Sequence, residues 1–151
     1  MIEKDFYGKK IVGIKRFLNK IDIDEFKKYL YETYKEEDTN YSNIVYNKCR
    51  VSVGFLSVKL MELPNVFRAT YVYYGYVNNR WHCWLGHNGY FIDLTYAQFD
   101  EKAPEITIIK IDDAKKNNLY SISGFMPLFR WIQQEVEEDE TDKNILDYLM
   151  S

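Results

Sequence analysis

Cysteine, proline and glycine are all scarce in this chain of 151 residues: two, three and seven copies. Two thiols cannot build a disulfide framework, so a buried core rather than cross-links is expected to hold the fold, in a reducing compartment. Prolines and glycines are scattered, which leaves no linker and no domain boundary and implies a single domain over 1–151. No Gly-x-Gly-x-x-Gly or Walker spacing occurs, so a phosphate-cradling loop and its nucleotide cofactor are not expected. Long apolar runs are missing too, which argues against a membrane span. The opening "MIEKDFYGKKIVGIKRFL" lacks the apolar stretch and small-residue cleavage site of a secretory signal, so a cytoplasmic location is expected. Neither charge sign dominates: 20 basic and 23 acidic residues give −3. Without a basic stripe, nucleic acid is not an expected partner. A mildly basic stretch over 4–28 and an acidic one over 135–142 read as solvated faces.

Hydrophobic residues make up 46% of the chain and aromatics 17%, enough for one core. Fourteen tyrosines suggest a polar-edged core with some rings left to line a cleft. Asp22, followed three residues later by Glu25, marks a helix start. Ile23, Phe26, Tyr29, Leu30 and Tyr34 then recur at helical spacing, predicting a helix over 23–36. Ile11, Ile14, Phe17 and Leu18 point to a shorter helix upstream. "DTNYSNIVYNK" reads as a loop feeding a helix that begins near Cys49 and stops before Pro64.

From residue 67 the pattern turns to strands: "FRATYVYYGYV", "RWHCWL", "YFIDLT" and "EITIIKI". "SGFMPLFRWIQQEV" reads as a loop and a helix starting at Pro127, and the tail from Thr141 as a short amphipathic helix. Segregated helices and strands predict an α+β fold: N-terminal helices packed on a central antiparallel sheet, with short C-terminal helices.

The chemistry gathers on one predicted hairpin. Residues two apart on a strand share a face, so His82 and Trp84 share one, and Asp93 emerges on the same side from the returning strand. A turn at Asn88-Gly89 sets Asp93 opposite Trp84 and diagonal to His82; a tight turn that pairs Gly86 with Gly89 sets it opposite His82. Both place carboxylate and imidazole within reach. A carboxylate fixes the ring's tautomer and leaves its other nitrogen free to take a proton. Cys49, at a helix N-terminus where a thiolate is favoured, is the candidate donor of that proton. Its backbone N–H is a candidate oxyanion donor. Cys83 falls on the opposite face between Trp81 and Leu85 and reads as core. Gln98 is expected to pair backbone beside the cleft, and Phe99 to be buried.

The order Cys49, His82, Asp93 resembles the transglutaminase-like branch of the papain-like cysteine enzymes. The stretch from His82 and Trp84 through "IDLTYAQF" is similar to a His-x-Trp…Asp-x-Thr…Gln-Phe pattern of small bacterial members. The resemblance covers roughly residues 47–100. It implies a papain-like fold and a Cys-His-Asp triad that attacks an amide carbonyl, with water or an amine as acceptor. It implies no cofactor. Trp84, Asn47 and Gln98 would flank the site or touch substrate. Peptide or protein amides would be the substrates.

Two rival readings stand beside it. Cys49, His82, Cys83 and His87 are zinc-ligand types, but adjacent His82 and Cys83 diverge on a strand, no Cys-x-x-Cys pair exists, and His87 is expected exposed in the turn. The other rival keeps the scaffold without the chemistry: a binding module, such as an immunity or adaptor protein, with a protein partner. In that reading Cys49 is a small buried hydrophobe, His82 bonds backbone and Asp93 caps the following turn.

Overall fold

A computed structural model describes residues 2–64 and 69–137. The helices come first: α1 (Lys15–Leu18), α2 (Ile23–Tyr34), α3 (Tyr41–Ile44) and α4 (Cys49–Leu60). The strands follow as β1 (Thr70–Val77), β2 (Arg80–His87), β3 (Tyr90–Asp93) and β4 (Thr107–Lys110). Then come α5 (Ile111–Lys116), β5 (Ser121–Pro127) and α6 (Leu128–Glu137). The fold is α+β, with one antiparallel five-stranded sheet in the order β4-β3-β2-β1-β5.

Local chemistry explains the main elements. The Asp22 carboxylate accepts from the backbone N–H of Asp24 and Glu25, satisfying donors that the first turn of α2 leaves free. α2 buries Phe26 and Leu30 completely, one turn apart on one face. Unlike α2, α4 is buried nearly all round, which accounts for its mixed periodicity. β1 and β2 join through Asn78-Asn79, and β2 and β3 through Asn88-Gly89, all four residues at positive φ. These are the tight turns whose twist matches the strands. Leu85 pairs with Ile92 and His87 with Tyr90, so the hairpin takes the register that Asn-Gly favours.

The centre of the sheet is buried on both faces. Phe17, Phe26, Leu30, Phe55 and Leu56 from the helices pack with Val72, Cys83, Leu85 and Ile92 on one face. Trp84, Phe91, Ile109 and Tyr120 form a second cluster on the other face, covered in part by α5 through Ala114.

Several expectations need correction. The upstream helix is a single turn, although Ile11, Ile14, Phe17 and Leu18 are all buried as a helix face would be. The loop before Cys49 contains α3, whose Tyr41 hydroxyl donates to the Leu94 carbonyl at 2.5 Å. "SISGFMP" is strand β5, not loop, and α6 starts at Leu128, after the proline. Pro127 is tolerated because it ends an edge strand. α5 was not foreseen. His87 is buried, not exposed, and hydrogen-bonds the Thr70 hydroxyl through Nδ1 at 2.7 Å. Glu135 is also buried, in an ion pair with Arg50 at 2.6 Å, so the acidic stretch is not wholly a solvated face. The tail helix from Thr141 lies outside the described residues.

Candidate active site

The hairpin delivers the carboxylate to the ring. His82 Nε2 donates to Asp93 Oδ2 at 2.7 Å, with His82 wholly buried and Asp93 2% exposed. Asp93 is saturated. Oδ2 also accepts from the Tyr120 hydroxyl at 3.0 Å, and Oδ1 accepts from the Thr95 backbone N–H at 2.9 Å and its hydroxyl at 3.2 Å. Burial opposes the charge on Asp93, but His82 and these donors outweigh it and hold the carboxyl below its usual range.

Aromatic rings fix the imidazole in place. Trp84 stacks on it at 5.6 Å, Tyr120 lies parallel at 6.3 Å, and Phe99 meets it edge-on at 4.9 Å. Burial disfavours the imidazolium, yet Asp93 and then Cys49 prevail and raise its pKa to about 9. The second ring nitrogen, Nδ1, is buried without a hydrogen-bond partner.

Cys49 opens α4, and its side chain is 6% exposed. Its thiol is pulled down to about 5: the Cys83 thiol contributes most, burial opposes, and the His82 ring and the Cys83 backbone N–H add to the lowering. Thiol and ring therefore lie close enough to bias one another, while Nδ1 and Sγ fall short of a formed hydrogen bond.

The role of Cys83 was missed by face alternation alone. Its side chain joins the helix-side core as expected. In the hairpin, His87 and Tyr90 exchange both backbone bonds, so the N–H groups of Leu85 and Cys83 also point away from β1. β3 pairs only as far as Leu85, so the Cys83 N–H extends past it, where the tip of α4 enters. Burial and the neighbouring Cys49 push the Cys83 thiol well up, so it stays protonated beside a thiolate. Tyr120, twenty-seven residues after Asp93, carried no sequence signal.

Asn47 and Gln98 meet at the rim. The Asn47 backbone N–H donates to Gln98 Oε1 at 3.2 Å, and Arg80 Nη2 donates to the same oxygen at 3.1 Å. The Arg80 guanidinium lies between the Tyr46 and Phe99 rings, 4.4 and 5.0 Å from their centroids. With Oε1 committed to two donors, Gln98 Nε2 is left buried and unpartnered, two residues along the chain from the α4 tip at its Asn47 contact. Phe99 is partly buried. Among the described residues, no group of three or more His, Cys, Asp or Glu side chains could hold a metal ion, and no helix is long and apolar enough to cross a membrane.

The arrangement thus holds a thiol biased toward thiolate, a ring biased toward imidazolium, and a saturated carboxylate behind the ring. Compared with protein family models, curated proteins and solved structures, the chain matches none.

Proposed function

We propose that this protein is a cysteine-dependent acyl-transfer enzyme, in its simplest form an amide hydrolase of the peptidase or deamidase type, on a papain-like scaffold of the transglutaminase-like branch. The carrying observation is the buried His82–Asp93 pair, which leaves one ring nitrogen unpartnered while the same ring helps pull the Cys49 thiol down to about 5. The Cys49 thiolate adds to the carbonyl carbon. The charge that develops on oxygen is met by the Cys49 backbone N–H and by Gln98 Nε2. The His82 imidazolium gives its proton to the departing amine as the C–N bond breaks, leaving a thioester. His82, now neutral, takes a proton from water or an incoming amine, which attacks the thioester and regenerates the thiolate. Asp93 keeps the ring in register throughout and remains ionised.

Iodoacetamide alkylation across pH, located by peptide mass spectrometry, tests this reading. Cys49 should label with a midpoint near 5, Cys83 should stay unlabelled, and His82→Asn should move the midpoint upward. A Cys49 midpoint near the ordinary 9.0 would overturn it. That outcome would instead favour the second reading, a non-catalytic binding or immunity/adaptor protein, which draws on the near-complete burial of Cys49.

A further inference from the structure

A cleft of about 410 Å³ opens on the helix-side face of the sheet, beside the start of α4. Its floor is Tyr74 and Cys83, paired across β1 and β2. Met126 of β5 and Trp131 of α6 form one wall. Trp81 lines it too and is 52% exposed, beside its cross-strand partner Tyr76, also exposed. The cleft connects to the candidate nucleophile twice. Cys83 in the floor carries the thiol and N–H that act on Cys49, and Arg50 at the rim is the next residue along α4.

We infer that this cleft receives an aromatic side chain on the acyl side of the attacked amide. The inference rests on the acyl-transfer reading above. Beside the polar Gln134 and the paired Arg50 and Glu135, the lining is Val72, Tyr74, Trp81, Cys83, Met126 and Trp131, which offers apolar and aromatic area and no free counter-charge to a charged side chain. The charged groups at the rim, Arg50 and Glu135, are bonded to each other at 2.6 Å. That bridge ties the α4 tip to α6 across the cleft's lining. A large exposed tryptophan at the mouth gives little to the protein's own core and is free to cover a bound ring.

Three chloromethyl ketones test the inference: acetyl-Phe, acetyl-Asp and acetyl-Lys derivatives, in which the Cys49 thiolate displaces chloride and a thioether forms. Rates of Cys49 modification are followed by mass spectrometry and divided by the iodoacetamide rate of the same protein. The Phe reagent should exceed the Asp and Lys reagents by about tenfold or more, as apolar pockets discriminate. Trp81→Ala should erase most of that preference and Trp81→Phe should keep it. Equal normalised rates for all three reagents, with Cys49 still reactive near pH 5, would overturn the cleft assignment alone. A Cys49 unreactive to iodoacetamide below pH 9 would remove the enzyme reading and this inference with it.

Discussion

Asp93 accepts four hydrogen bonds in a place where water does not reach, so each donor carries more weight than it would at the surface. Its loss leaves the ring of His82 and the hydroxyl of Tyr120 without partners inside the core. Asp93→Ala should therefore cost about 3–5 kcal/mol, the range for breaking a buried pair from one side. Tyr120→Phe removes one neutral donor from a charged acceptor and should cost about 1.5–3 kcal/mol. Urea unfolding monitored by tryptophan fluorescence measures both, and equal costs for the two variants would contradict this ranking. At the same scale, the pairing of His82 with Asp93 was readable in the sequence, because strand alternation and an Asn-Gly turn leave few placements for the two. Cys83 is core as alternation predicts, but alternation does not show that its thiol and backbone N–H meet Cys49, which depends on where α4 docks. Tyr120 and the double use of Gln98 Oε1 were invisible, since both depend on segments brought together only by tertiary packing.

Elements show the same division between local signals and long-range ones. α2 was legible because its cap and apolar stripe lie within a dozen residues. β5 was not, because its pattern is that of a half-exposed edge and a Gly-Phe-Met-Pro sequence resembles a loop; only pairing with β1 defines it. The pairing contains an irregularity at Tyr74/Gly75, where β5 comes close. Gly75, the cross-strand partner of His82, has room for no side chain there: a Cβ would strike the Ser121 carbonyl oxygen. Gly75→Ala should thus separate β5 from β1 locally and destabilise the fold by at least about 1–3 kcal/mol, the cost of overpacking. Amide hydrogen exchange should report the damage first in residues 121–124. Unchanged protection there would show that the edge gives way without cost.

For the whole molecule, the thiol and the imidazole oppose one another in the pH dependence of stability. Cys49 has its pKa lowered from 9.0 to about 5, so the folded state binds one proton fewer across that interval and stability rises with pH. His82 has its pKa raised from 6.5 to about 9; its contribution is complete below 6.5 and is lost as pH climbs through 9. Between 6.5 and 9 the two slopes cancel, while from 5 to 6.5 only the thiol acts. Asp93 adds a loss at the acid end, as pH falls through its lowered pKa. Stability should therefore gain on the order of 1–2 kcal/mol from pH 5 to 6.5 and then level off. In Cys49→Ala the plateau should become a decline toward pH 9. Denaturant titrations at half-unit pH steps would check this, and parallel curves for the two proteins would refute it.

The short reach of β3 also bears on how such a centre can arise. A third strand continuing in register would have given the Cys83 amide an ordinary carbonyl partner and closed the gap to an incoming helix. Ending the strand at a carboxylate instead leaves one uncommitted dipole at the interruption, aimed at the sulfur. An incomplete ladder thereby adds a backbone donor to the one that the Cys83 thiol already offers the sulfur.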